Sequence, residues 1–437
     1  MKLHSRFNTL NFLMVGLLAV SQSTLATNGL FTHGYGTASK ALAGAGVATS
    51  FDSLAAATNP AGMVNVGSRA EFAAALFSPR REYDINGAVT GFVGPHAPTE
   101  SGRDYFAVPS GGYNRMLGEN SSIGVTVFGN GGMNTMYPAS ANPGFGAGGT
   151  FGGGSTGVDY MQLFIAPTYS HRFGNNVSVG ISPLLGFQRL ELNGVTPFTT
   201  FSNSAANMSN RGHDTALGLG VRVGLQAQVT PRLSFGASYQ SEVNMEKFDK
   251  YKGLFAEGGN MDVPATGAIG LAFKTSDTSL LVFDVQHIWY ENVPAIGNPI
   301  GNLFTGCNKV PLTGVGTAGC FGGSNGAGFG WKDMTIFKIG YQWQSSPDWT
   351  WRVGFSHGSQ PIPASEVLLN IIAPGVIENH VTFGFTKTMG KSGALNFAAT
   401  YAMNNEVNGN APAFFGGQPV KLEMHQFELE IGWSWKF

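Results

Sequence analysis

The segment Phe427-Glu428-Leu429-Glu430-Ile431-Gly432-Trp433-Ser434-Trp435-Lys436-Phe437 alternates without a break. Odd positions are large and apolar; even positions are charged, small or polar. A period of two puts the two sets on opposite faces of a strand. The oily face has no further chain to pack against, because the sequence stops at a Phe. Strands oily on one side and aromatic near the end are what a β-barrel in lipid requires.

The N-terminal residues agree. Lys2, His4 and Arg6 lead into the apolar run Phe12 to Val20, followed by Ser21-Gln22-Ser23-Thr24-Leu25-Ala26. This is the pattern of a secretory signal over residues 1–26, with the mature chain starting at Thr27. A membrane anchor would need about 20 apolar residues. No later run approaches that length. Lys and Arg number 25 against 26 Asp and Glu, so no excess charge calls for nucleic acid. Charged residues are 12% of the chain, against about 25% in soluble domains. The two cysteines, Cys307 and Cys320, share one Gly-rich segment of a secreted chain, so a disulfide is expected. No histidine joins them at metal-ligand spacing.

The alternation repeats along the chain. Leu217, Leu219, Val221, Val223 and Leu225 oppose Gly218, Gly220, Arg222, Gly224 and Gln226. Phe337, Ile339, Tyr341 and Trp343 oppose Lys338, Gly340 and Gln342. Such runs give about fourteen strands, starting near Glu71, Arg103, Ser122, Val158, Val177, His213, Arg232, Met261, Ser279, Lys332, Trp349, Ile377, Ala394 and Lys421. Tight connections such as Thr230-Pro231 and Ser345 to Asp348 alternate with long ones such as Pro79 to Gly102 and Asn292 to Trp331. Short periplasmic turns and long outer loops are the rule for bacterial outer-membrane barrels. The expected fold is an all-β antiparallel barrel of about 14 strands over residues 70–437, sited in the outer membrane.

Residues 27–69 do not alternate. They are rich in Gly and Ala, carry Leu30, Phe31, Leu42, Phe51 and Leu54, and close on Thr58-Asn59-Pro60-Ala61-Gly62-Met63. Apolar residues ahead of a barrel need cover, and the lumen supplies it; the segment is expected to be a plug rather than a disordered leader. Asn before Pro favours a turn or helix start.

At these places the chain resembles the long-chain fatty acid transporter (FadL-type) outer-membrane proteins, which include aromatic-hydrocarbon porins. The resemblance rests on Gly44-Ala45-Gly46 through the Asn59-Pro60-Ala61-Gly62-Met63 box, and on Asn325-Gly326-Ala327-Gly328-Phe329-Gly330-Trp331-Lys332-Asp333. It rests also on Pro361-Ile362-Pro363 through Ala373-Pro374-Gly375-Val376, and on Phe437. It implies a fourteen-stranded barrel, an N-terminal plug in which the Asn59–Met63 box takes part in gating, capture of hydrophobic ligands at the outer loops, and a kinked third strand that opens a hole in the wall. Phe128-Gly129-Asn130-Gly131-Gly132 is where that kink belongs, since Gly in a strand marks bulges and bends; the same glycines could instead begin a loop. The reading further implies a monomer without cofactor or metal. Its partners are a hydrophobic small molecule, outer-membrane lipid and lipopolysaccharide, and barrel-assembly machinery meeting the C-terminal strand.

Burial is worth about 0.8 kcal/mol per methylene, so a sixteen-carbon chain gains roughly 12 kcal/mol when enclosed. Release into water returns most of that, whereas release sideways into the bilayer does not. Phe145, Phe151, Phe198, Phe201, Met208 and Phe255 are candidate capture residues on outer loops, where exposed apolar patches mark binding sites. Loop-on-loop packing is the other role open to them. Arg222, Arg232, Lys338 and Arg352 have lumen-facing phase and could meet a carboxylate, or pair with lumenal acids. A hydrocarbon would need none of them. Gly354-Phe355-Ser356-His357-Gly358 matches a nucleophile elbow, but lies in an alternating strand instead of a strand–turn–helix, so catalysis is not expected. A general diffusion porin and an adhesin or structural barrel are the competing functions; the leader segment with Asn59-Pro60-Ala61 favours the transporter over both.

Overall fold

The computed structural model describes residues 28–87, 92, 98–142, 145–310 and 314–437. The expected signal segment and the cleavage point at Thr27 lie outside the described residues. In chain order the strands are β1 (Arg69–Ile85), β2 (Thr99–Glu100), β3 (Phe106–Met116), β4 (Ser121–Asn134), β5 (Gly157–Phe173), β6 (Val177–Asn193), β7 (Asp214–Gln228) and β8 (Leu233–Gln240). They continue as β9 (Asn244–Met245), β10 (Thr266–Ser276), β11 (Ser279–Ile288), β12 (Met334–Ser346), β13 (Trp349–Gly358), β14 (Asn379–Met389), β15 (Gly393–Asn410) and β16 (Pro419–Lys436).

Consecutive strands pair antiparallel, and β1 pairs β16 from Arg69↔Lys436 to Ile85↔Val420, so the sheet closes on itself. Fourteen strands make the wall. The other two, β2 and β9, are two-residue ribbons on β1 and β7. Closure removes the unpaired edges that lipid would penalise. No described helix is long and apolar enough to cross a membrane.

The pattern of burial is inside out. On β16, Glu428 and Glu430 are 3% and 2% exposed, whereas Leu429 and Ile431 are 51% and 57% exposed. The oily face meets lipid and the polar face meets a filled lumen. Near the tight turns the outward aromatics cluster: Trp349 stacks on Trp351 at 5.3 Å, and Trp433 neighbours Trp435 at 6.2 Å. This is the interfacial girdle of a membrane barrel.

The lumen is filled by the chain's own first described residues. Residues 28–68 form a short helix (Thr37–Lys40) and two tight turns (Ala55–Ala57 and Pro60–Asn65). They bond inward-facing groups right round the wall. Lys40 pairs with Glu428 at 2.7 Å and Glu430 at 2.6 Å on β16. The Ala43 amide donates to Thr382 on β14, and the Gly46 and Val47 amides donate to Asp284 on β11. The Ser53 amide donates to Glu71 on β1.

Several strand limits differ from expectation. β1 continues through Pro79 to Ile85, beyond the loop start expected at Pro79. Its pairing with β3 ends at Phe77↔Phe106, so from Ser78 to Arg81 the strand has one wall neighbour, and a residue without an N–H is tolerated there. The strands expected from Arg103 and Met261 begin at Phe106 and Thr266.

Candidate functional site

The leader is latched by the box that ends it. Asn59 caps the turn Pro60–Asn65: its Oδ1 accepts from the Ala61 amide at 3.1 Å, with Pro60 at the first helical position. Its Nδ2 donates to Val47 O at 2.8 Å within the leader and to Leu225 O at 2.9 Å on β7. One side chain thus caps the turn, crosses the leader and ties it to the wall. Gly224 on β7 makes the approach possible, because a Cβ there would overlap Asn59 Oδ1. Ala61 O accepts from Ser170 on β5, and Met63 O accepts from Asn114 on β3. Gly62 sits so close to Ser50 that a Cβ would overlap its hydroxyl.

A window opens where β3 and β4 part. Their pairing runs from Met116↔Ser122 up to Gly111↔Val127 and stops. Above it, Phe106 to Ser110 pair with β1 and have no β4 register partner among the described residues, while β4 continues against β5. The register of β4 on β5 shifts between Gly129 and Gly131, so Asn130 is an extra, bulged residue. The leader takes the place that β3 leaves. Thr32 N donates to Asn130 O at 3.1 Å, Gly132 N donates to Leu30 O at 3.0 Å, and Phe31 bridges Gly131. A Cβ on Gly131 would overlap Leu30 O. Phe128 points inward, edge-on to Tyr35 at 4.8 Å.

The top of the window is clasped. Gly102 N donates to Met136 O at 2.8 Å. Arg103 reaches across to Asn134 Oδ1 at 3.2 Å and Asp159 at 3.1 Å. Asp159, Glu191 and His213 bring ligand atoms within 4.8 Å of one another. Arg103 and Arg189 already bring positive charge to Asp159, so this cluster is an ion-pair clasp better than a cation site.

Above the lumen the outer loops enclose an apolar cavity of about 30 Å³. Phe198, Met208 and Phe255 line it, with Phe321, Phe329, Leu369 and Ile372. That room holds about one water, so a larger guest must displace side chains. Phe201 lies beside it, 5.9 Å from Phe415, and Phe151 is edge-on to Phe198 at 5.1 Å. Phe145 packs on Gly152 of its own loop and does not line the cavity. Exposed capture patches were the expectation, yet Phe151, Phe198, Phe201, Met208 and Phe255 are all buried. Long loops with this many rings cover one another sooner than face water. Cys307 and Cys320 are disulfide-bonded and hold Phe321 against the neighbouring loop, where Phe321 N donates to Phe201 O at 3.1 Å.

Three of the four basic candidates are in the lumen and already engaged. Arg222 donates to Ala57 O and Gln240, with Tyr35 and Phe128 rings 5.8 Å from its guanidinium. Lys338 donates to His33 O at 2.9 Å. Arg352 donates to Gln342 and Thr386, each at 2.7 Å, and lies 5.5 Å from the Phe51 ring centre. Each spends its charge on the leader or the wall. Arg232 needs correction: it is exposed in the tight turn between β7 and β8, because the strand starts one residue later and phase has no meaning in a turn. Ser356 is mid-strand on β13, bonded to His380 Nδ1 at 3.1 Å, with strand on both sides.

Sequence reasoning missed the strand-like use of Leu30 to Thr32, the Arg103–Asp159 clasp, and Phe321, Phe329, Leu369 and Ile372. Phe321, Leu369 and Ile372 had a signal. Phe321 adjoins Cys320, and Val367 to Ile372 is apolar except for Asn370 in what reads as a loop.

A closed fourteen-strand wall, oily outside, with its lumen filled by residues 28–68, defines an outer-membrane barrel protein of the plugged class. The chain belongs to the family described as outer membrane protein transport protein (OMPP1/FadL/TodX), whose model matches residues 17–426. Its structure is similar to the Pseudomonas putida toluene transporter TodX, at 17% identity and TM-score 0.64, over 93% of this chain and 99% of that one. It is similar also to a Pseudomonas aeruginosa FadL homologue, at 13% identity and TM-score 0.66, over 94% and 100%. A third is the Ralstonia pickettii toluene transporter TbuX, at 16% and 0.62, over 93% and 99%. These likenesses establish the fold. No curated protein matches the chain.

Proposed function

We propose that this protein carries hydrophobic compounds, long-chain fatty acids or aromatic hydrocarbons, across the outer membrane. Guests enter the apolar loop cavity, the leader rearranges, and they leave sideways through the window into the bilayer. One observation supports the reading: the β3–β4 register ends at Gly111↔Val127, and above it the edge of β4 is met by Leu30 to Thr32 of the leader. A leader that moves uncovers a passage leading to lipid. The sixteen-carbon ledger favours that exit over water by most of roughly 12 kcal/mol. The toluene transporters among the structural neighbours support a hydrophobic guest. A diffusion porin needs an open polar lumen, which residues 28–68 occupy.

The test is deletion of Asn130, the bulged residue, which lets β4 run straight on β5. Uptake of radiolabelled oleate and toluene into outer-membrane vesicles should fall several-fold while the barrel stays folded on heat-shift gels. Undiminished uptake would sink the lateral route.

A further inference from the structure

The strongest unused group in the molecule is Arg81. It points inward from β1, opposite Met424 of β16, and is 2% exposed. A guanidinium offers five N–H donors. Here Nη1 makes one long contact, to Arg103 O at 3.5 Å, and Nε and Nη2 meet no acceptor among the described residues. Tyr137 and Asp104 lie near enough to act on it electrostatically. Asp104 is held by Arg80 at 2.8 Å. The Tyr137 hydroxyl is buried and also meets no partner among the described residues. Ser101 ties the two positions together, its amide donating to Arg81 O and its Oγ accepting from the Met136 amide beside Tyr137, so two guanidinium nitrogens and one phenol are buried in one neighbourhood without an acceptor among the described residues. An uncompensated buried charge is among the costliest features a fold can keep.

Arg81 stands beside the window and along the oily path. Ser101 N, in the strip that frames the window's top, donates to Arg81 O at 2.8 Å. The Tyr137 ring is edge-on to Tyr83 at 4.6 Å. Tyr83 shares a hydrogen bond with Thr150 at 2.9 Å, and the next residue, Phe151, packs on Phe198 of the loop cavity.

We infer that Arg81 and Tyr137 form a carboxylate-receiving site between the loop cavity and the window, and that the guest it serves is an amphiphile with an apolar tail and an anionic head. Arg81 gives two parallel N–H···O bonds through Nε and Nη2, the geometry a guanidinium offers a carboxylate. Tyr137 adds a third donor. The tail lies along Tyr83 and Phe151 towards Phe198. Arg222, Lys338 and Arg352 are already committed to the leader or the wall, so this one, missed by phase, is available to the guest. The inference rests on the proposed function and narrows it to acids.

The experiment compares oleate with methyl oleate, which has the same tail and no charge, on the refolded full chain in detergent, by fluorophore displacement. The wild type should prefer oleate, and Arg81→Met should weaken oleate binding about ten- to a hundred-fold while leaving methyl oleate unchanged. Tyr137→Phe should cost a smaller factor, and Arg81→Lys should restore part of the preference. Saturating oleate should raise the melting temperature of the wild type more than that of Arg81→Met. If Arg81→Met misfolds, the Tyr137→Phe and Arg81→Lys pair carries the test. Equal oleate affinity in wild type and variants, with methyl oleate still bound, overturns the carboxylate site and leaves the transport reading intact. Binding of neither compound by the wild type overturns both.

Discussion

Gly132 on β4 donates its amide hydrogen to the carbonyl of Leu30 in the leader, 3.0 Å away. A wall strand and a lumen segment thus share a bond that β3 would otherwise supply. The leader therefore supplies an edge to β4 where β3 does not, and under the proposed function its departure would uncover that edge.

Gly131→Val should loosen this contact. A Cβ at Gly131 would overlap Leu30 O, so the leader must move off the window edge. Hydrophobic uptake and ion conductance should rise together, with the barrel still folded. Planar-bilayer recording checks the conductance.

Asn59→Ala should unseat the leader at its other end. It removes the turn cap and strips Leu225 O and Val47 O of a donor. A cap and a buried hydrogen bond are together worth about 1–3 kcal/mol. Protease sensitivity of the leader should rise measurably, and the wall should still resist.

Lys40→Met should destabilise the folded protein by about 3–5 kcal/mol, since Glu428 and Glu430 are then buried without their cation. Adding Glu428→Gln and Glu430→Gln should recover most of the loss. Urea unfolding of the three-site variant beside Lys40→Met reads this directly.

Seating of the leader should tighten as pH falls from 8 to 5.5. Burial first, and then the negative charge of Glu71, push the Asp52 carboxyl from its ordinary 3.8 up to about 7, against the opposing pull of Arg69. Between those values the folded protein holds a proton that the unfolded chain has lost. The contribution of this group is therefore greatest below 3.8, falls as pH rises to about 7, and is level above. Asp52→Asn should flatten the profile of urea midpoints against pH.

Much of this was written in the chain. Alternation through Leu217 to Leu225 and Phe427 to Phe437 set the wall strands, because a one-residue slip would turn every oily side chain into the lumen. The bulge at Asn130 showed in its flanking glycines. The phase of Arg222, Lys338 and Arg352 was readable, but their partners were not. Those partners are leader carbonyls and wall amides brought together only by closure, as with Lys338 and His33 O across 305 residues. Arg232 failed because a turn has no phase. Arg81 was hidden behind Pro79, which reads as a strand stop when both edges are assumed to be paired. The loop rings read as exposed because sequence shows their oiliness, not that Phe198, Phe321 and Phe415 cover one another.

The most direct test of the central claim asks where the guest arrives. Proteoliposomes are prepared with a pyrene-labelled fatty acid outside, a bilayer quencher in the membrane and a fatty-acid-binding albumin sealed inside. Lateral release predicts that bilayer quenching precedes the albumin signal, and that deleting Asn130 slows the quenching. An albumin signal that comes first and is indifferent to that deletion would mean passage straight through the lumen, and would contradict the window as the exit.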